Sequence, residues 1–211
     1  MSHELRTPLN SILILARILK ENKPSNLTDD QIKYAGVIHN AGADLLNLIN
    51  DILDLSKIES GKVELIQEPV RPTEICQNME LLFSEIANSK KIQFHTEIAA
   101  AVPGSFTSDS LRVEQIIKNL LSNAFKFTTE QGTIALKVEL VPATQPFYSK
   151  NLKSTQADVL AFHISDSGIG IPDEKQRLIF EAFQQADGST SRKYGGTGLG
   201  LSISKELAAL L

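Results

Sequence analysis

Apolar positions in residues 1–61 recur three and four apart. Leu5, Leu9, Ile12, Leu15, Ala16 and Leu19 place a stripe on a helix from residue 2 to about residue 22, and Lys23-Pro24-Ser25-Asn26 ends it. Thr28, with Gln31 three positions on, forms a capping box for a second helix. Ala35, Ile38, Gly42, Leu45, Ile49 and Ile52 carry its seam towards Glu59, and Gly61 is placed to stop it. Two long helices with a short connection predict an antiparallel hairpin that cannot cover its own apolar stripe. Pairing two hairpins into a four-helix bundle would bury the stripe, and so would packing on the rest of the chain. The pattern itself leaves both open.

Beyond Gly61 the period changes, and residues 62–211 read as a second domain. Strands are predicted at 62–66, 92–98, 132–141 and 159–165, and helices at 73–88, 110–126, 173–183 and 199–211. Residues 142–158 are polar and too long for a tight turn, so a mobile loop is expected there, and residues 184–194 read as irregular. The order predicts an α+β sandwich with helices on one face of a mixed sheet.

Composition narrows the picture. Of 211 residues, 42% are hydrophobic, enough for a packed core. A net charge of -4 without a Lys/Arg cluster argues against a nucleic-acid surface. The single cysteine, Cys76, excludes an intrachain disulfide and fits a reducing compartment. No apolar run reaches the roughly 20 residues that span a bilayer, so a cytoplasmic location, or the cytoplasmic part of a membrane-bound protein, without direct membrane contact, is expected. His39, His95 and His163 fall in separate segments without metal-ligand spacing.

Three groups of residues carry candidate chemistry. Residues 3–10 read His-Glu-Leu-Arg-Thr-Pro-Leu-Asn. His3 and Thr7 share a helix face, and Pro8 removes the amide partner of the Glu4 carbonyl, loosening the helix beside the imidazole. An imidazole with an ordinary pKa near ~6.5 is mostly unprotonated and nucleophilic at neutral pH. In the second group, Asn119, Asn123 and Lys126 lie four and three apart on the 110–126 helix, a polar stripe among Ile116, Ile117, Leu120 and Ala124. An asparagine oxygen suits Mg²⁺, and a lysine offsets phosphate charge; a hydrogen-bonded surface stripe accounts for the same spacing. In the third, Asp166-Ser167-Gly168-Ile169-Gly170-Ile171 follows an apolar strand, and Gly195-Gly196-Thr197-Gly198-Leu199-Gly200 opens the last helix. A carboxylate at a strand end can accept from an adenine amine, Gly168 and Gly170 permit close approach of a flat base, and a helix start can aim amides at phosphates. The segment before the second glycine cluster is polar rather than a strand, which disfavours a dinucleotide-binding turn, and a Walker-type lysine is missing.

Together these groups resemble the sensor histidine kinases of two-component systems: a dimerisation and phosphoacceptor hairpin, then an ATP-binding domain shared with DNA gyrase and related ATPases. The likeness covers nearly the whole chain. It matches the phosphoacceptor box to residues 3–10, the asparagine box to 119–126, the adenine box to 166–171, the phenylalanine box to Phe180 and Phe183, and the phosphate-binding box to 196–200, including Gly196, Gly198, Leu199 and Gly200. The resemblance implies that Asp166 reads adenine, that Asn123 holds Mg²⁺, and that Asn119 and Lys126 contact metal-bound phosphate. Arg192 either touches the terminal phosphate or is solvated.

The same likeness implies ATP-dependent phosphorylation of His3, then transfer to an aspartate of a response-regulator receiver domain, by a homodimer. Glu4 takes the position that orients or deprotonates the imidazole, although adjacent helical residues do not face each other. Thr7 takes the position that aligns water for dephosphorylating the regulator, or is a helix-surface threonine. Related ATPases carry a glutamate base where this chain has Asn119, which favours transfer to histidine over hydrolysis; an inactive dimeric adaptor is the other alternative. Family members extend the first helix upstream into a signalling module and the last helix into a glycine turn and closing β-hairpin. Neither is recognisable here, so a fragment with its C-terminal strands missing is expected.

Overall fold

A computed structural model describes residues 2–142, 144, 158–184 and 197–211. Helices α1 (Ser2–Glu21) and α2 (Asp29–Glu59) form the hairpin. Pro8 lies inside α1, which runs on through it. At the start of α2 the Thr28 hydroxyl accepts the Gln31 amide at 3.3 Å while the Gln31 side chain accepts the Thr28 amide at 2.9 Å, so both halves of the capping box form. Gly61 follows α2 at φ +64°, a left-handed conformation that costs a glycine little. The pairing is antiparallel: the Arg6 side chain reaches Asn50, Leu13 meets Gly42, and Lys20 lies along Gly36. A Cβ on Gly42 would stand 3.0 Å from Leu13 Cδ2, so this glycine sets how closely the helices approach. Leu9, Ala16 and Ala35 are buried, whereas Ile12, Leu15, Leu19, Ile38, Leu45 and Ile52 remain exposed.

The second domain contains β1 (Glu68–Val70), α3 (Pro72–Lys90), β2 (Gln93–Ile98), β3 (Phe106–Ser108), α4 (Ser110–Phe127), β4 (Thr133–Val141), β5 (Val159–Asp166) and α5 (Gly200–Leu210). The sheet is mixed, in the order β2-β4-β5, with β2 parallel and β5 antiparallel to β4. β1 and β3 form a separate antiparallel ribbon. On β4, Ile134, Leu136 and Val138 point inward at the period of two and are fully buried against α3 and α4. Phe83 of α3 stacks on Phe125 of α4 with ring centroids 4.9 Å apart, and Phe94 of β2 meets Phe125 edge-on at 5.3 Å.

Two expected elements are corrected. Residues 62–66 are not a strand; the Ile66 amide donates to the buried Asp109 carboxylate at 3.0 Å, and pairing begins only at Glu68. Residues 173–183 do not form an α-helix. Three-residue turns such as the Lys175 amide to Pro172 oxygen, 2.8 Å, lead into a 3₁₀ turn at Leu178–Phe180, while the Gln176 side chain bonds the Ile171 carbonyl and the Asp173 carboxylate. The short β3 had no periodic signal and was not expected. Most of the 142–158 loop and of the 184–194 segment lies outside the described residues. No helix among the described residues is long and apolar enough to cross a membrane.

Candidate functional site

The site is built on α4. Asp109 caps it, accepting the Arg112 amide at 3.0 Å through one oxygen and the Ile66 amide through the other. Val113, Ile117, Leu121, Ala124 and Phe125 are buried, which fixes the roll of the helix. Asn119, Asn123 and Lys126 consequently lie half-buried along another face. Burial pushes the Lys126 ammonium below its usual pKa, and its Nζ stands 4.9 Å from the Phe127 ring centroid.

The two glycine clusters meet opposite parts of this helix. Asp166 ends β5, paired with Ile134, and the next residue continues the tie: the Ser167 amide donates to the Thr133 carbonyl and the Thr133 amide to Ser167 Oγ. Asp166 Oδ1 accepts the Gly168 amide at 2.8 Å. A Cβ on Gly168 would fall 2.6 Å from that oxygen and 2.7 Å from the Phe127 carbonyl, so only glycine fits where the 166–171 segment touches the end of α4. Gly170 holds φ +69°.

At the other cluster, a Cβ on Gly200 would collide with the Asn119 side-chain oxygen, and Asn119 Nδ2 donates to Ser204 Oγ of α5 at 2.8 Å. The start of α5 is thereby fixed against the middle of α4. Gly198, at φ +71°, packs on the backbone of Phe183, whose amide donates to the Gly198 carbonyl at 3.0 Å. Phe183 and the second glycine cluster are therefore neighbours. Leu199 is fully buried.

From Asn119 to Phe127 is eight residues, roughly 12 Å along a helix axis at 1.5 Å per residue. A carboxylate and a close-approach glycine thus stand at one end of a polar helix face, and a glycine-rich helix start at the other, at a separation suited to a base and its phosphates.

In the hairpin, His3, Glu4 and Thr7 all lie on α1, with Glu4 and Thr7 exposed. One turn from His3, Arg6 donates twice to Asn50 Oδ1, at 3.0 and 2.7 Å, clamping this end of α1 to α2. Gly196 and Arg192 lie outside the described residues. Among the described residues no cluster of three metal-binding side chains occurs. Cys76 is buried, its thiol pushed up to about 11 by burial first and the Glu80 charge second, as suits a packed side chain.

Comparison with known proteins gives the family. Residues 1–61 match the His Kinase A (phospho-acceptor) domain, and residues 108–211 match the histidine kinase-, DNA gyrase B- and HSP90-like ATPase family. The chain belongs to the histidine kinases. It is 40% identical over its whole length to hybrid signal transduction histidine kinase K of Dictyostelium discoideum, spanning 17% of that protein. Across 98% of its length it is 40% identical to the signal transduction histidine-protein kinase BarA of Escherichia coli, spanning 21% of it. Among solved structures, full-length ShkA in complex with AMPPNP superimposes with a TM-score of 0.75 at 32% identity, over 99% of this chain and 39% of that one. ThkA in complex with the response regulator TrrA gives a TM-score of 0.58 at 25% identity, over 97% of this chain and 51% of that one.

Packing of the hairpin on the rest of the chain, one of the two arrangements the apolar pattern leaves open, is observed, through residues the sequence did not single out. The Leu48, Leu55 and Ile58 side of α2 packs on Leu199, Ile203 and Leu207 of the ATP domain. Beside this contact the Thr197 hydroxyl donates to Asp51, and Gln115 donates to Asp54. The available signal was a second stripe on α2, offset from the Ile38, Leu45 and Ile52 seam and carrying two aspartates three apart.

Proposed function

We propose that this histidine kinase core binds ATP along α4, phosphorylates His3 and passes the phosphoryl group to an aspartate of a response-regulator receiver domain. The observation that carries the reading is the placement of the Asp166–Gly168 turn and the Gly198–Gly200 helix start at opposite ends of the Asn119–Asn123–Lys126 face. Asp166 accepts the exocyclic adenine amine, and Gly168 lets the ring approach. The start of α5 receives phosphate oxygens through its amides, and Lys126 supplies positive charge. Asn123 offers the amide oxygen that Mg²⁺ takes in addition to phosphates and waters, and bound there the metal would neutralise charge on the transferring group. Arg192 is proposed as a further contact to the terminal phosphate.

In the transfer step a ring nitrogen of His3 forms a bond to the γ-phosphorus as the bond to the ADP oxygen breaks. The other ring nitrogen loses its proton, with Glu4 as the acceptor or as the group that orients the ring. In the second step the N–P bond breaks as a regulator carboxylate oxygen takes the phosphoryl group. Positioning and charge neutralisation supply most of the catalysis in phosphoryl transfer. Thr7, exposed on the His3 face, aligns water for dephosphorylating the regulator. The exposed stripe of Ile12, Leu15, Leu19, Ile38, Leu45 and Ile52 fits a homodimeric four-helix bundle. The chain acts on the cytoplasmic side of the cell.

Incubation with γ-labelled ATP and Mg²⁺ tests this reading. Acid-labile, base-stable label that moves to a receiver domain is expected, whereas acid-stable label or free phosphate alone would refute it.

A further inference from the structure

The β4–β5 ladder ends on a side chain instead of a main-chain carbonyl. Asp166 is the last residue of β5, opposite Ile134, so the next pair in register would be Ser167 with Thr133. In an antiparallel ladder a hydrogen-bonded pair exchanges two bonds, each from an amide to a carbonyl. Half of that exchange is made in the ordinary way, the Ser167 amide donating to the Thr133 carbonyl at 3.0 Å. The return bond goes elsewhere: the Thr133 amide donates to Ser167 Oγ at 2.8 Å. The serine hydroxyl thus stands in for its own carbonyl, and the main chain is released to turn into Gly168 without giving up the register.

The surroundings keep the hydroxyl in that place. A Cβ on Gly132, just before Thr133, would fall 2.8 Å from Ser167 Oγ and 2.3 Å from Cγ2 of the buried Thr128. Glycine there leaves the room that Oγ occupies. On the far side of the turn the Gly168 amide holds Asp166 Oδ1 at 2.8 Å. The Asp166 carboxylate is therefore set from both ends, by the ladder that Ser167 closes and by the turn that the closure permits.

We propose that Ser167 is a positioning residue for base recognition, its hydroxyl fixing the direction in which Asp166 presents its carboxylate to the nucleotide. The proposal rests on the reading that Asp166 accepts the adenine amine. Ser167 touches no base and acts through Asp166. A hydrogen bond weakens steeply once its angle departs from the favoured range, so a carboxylate free to swing loses much of its discrimination. With the hydroxyl gone, either water takes the Thr133 amide or the Ser167 carbonyl turns back to meet it, and the second course pulls Gly168 and Asp166 Oδ1 out of place. Thr133 and Ser167 are both exposed, while Ile134 and Leu136 beneath them are fully buried. The change is local to the turn and leaves the core of the domain intact.

The test is equilibrium binding of two nucleotides, ATP and purine riboside triphosphate, which lacks the exocyclic amine, to the full chain and to Ser167→Ala and Ser167→Thr. The wild type should prefer ATP by about tenfold or more, the ordinary size of a charge-assisted bond. In Ser167→Ala the affinity for ATP should fall roughly five- to tenfold while that for the amine-free nucleotide stays within about twofold, and Ser167→Thr, which keeps the hydroxyl, should bind both as the wild type does. An equal loss for both nucleotides, no loss for either, or a threonine variant that behaves like the alanine variant would overturn the positioning role and leave the adenine reading standing. Equal affinity of the wild type for the two nucleotides would overturn the adenine reading and the proposal with it.

Discussion

The ATP domain has a closed apolar core between sheet and helices, and the hairpin has none of comparable depth. Ile134, Leu136 and Val138 of β4 and Leu121 of α4 are 0% exposed, each sandwiched between sheet and helix. In the hairpin, Leu15 is 61% and Ile38 50% exposed, and those residues form a continuous pattern along both helices. Two layers suffice to bury a sheet face, whereas two helices bury only the strip between them. The first region holds a closed core between sheet and helices; the second needs a further surface, part of which is α5 and part of which we assign to a second copy.

The contrast breaks most visibly in the core. Leu136→Ala removes a fully buried side chain and should cost about 2–5 kcal/mol, melting the ATP domain while the helical signal of the hairpin persists. Thermal unfolding followed by circular dichroism checks this, and loss of both signals together would show one cooperative unit instead. Leu45→Asp places a charge in the exposed seam and should weaken self-association on the order of a hundredfold, with nucleotide affinity unchanged. Sedimentation velocity measures the first and analogue binding the second. A smaller effect lies within the site: Asp166→Asn removes a charge-assisted acceptor and should lower ATP affinity by roughly 1.5–3 kcal/mol without altering the melting temperature of the ligand-free protein. Calorimetry with wild-type affinity would contradict the adenine role.

The same contrast explains what was legible in the sequence. The α1 and α2 boundaries, the Thr28 capping box and the β2, α4, β4 and β5 elements follow from periodicity and local signals, because each shows in its own segment, as a period of three to four in the helices and of two in the strands. Residues 62–66 misled because the Ile66 amide is taken by the Asp109 carboxylate, 43 positions downstream, and not by a partner strand. Residues 173–183 misled because Gln176 and Asp173 bond locally and compete with helix. In the site, Asp166, Gly168 and Asn119 were legible as residue types at particular spacings. The contact of Gly200 with Asn119 and that of Thr197 with Asp51, 146 residues apart, depend on the tertiary fold and leave no local mark.

The central claim joins the two regions: the ATP domain serves a histidine on the hairpin. Phosphopeptide mapping of wild type and His3→Gln after incubation with γ-labelled ATP and Mg²⁺, together with analogue binding to both, tests it most directly. The account predicts acid-labile label confined to His3, none in the variant, and ATP affinity equal within about twofold, since acceptor and nucleotide site lie on different elements. Acid-labile label retained in His3→Gln would contradict it.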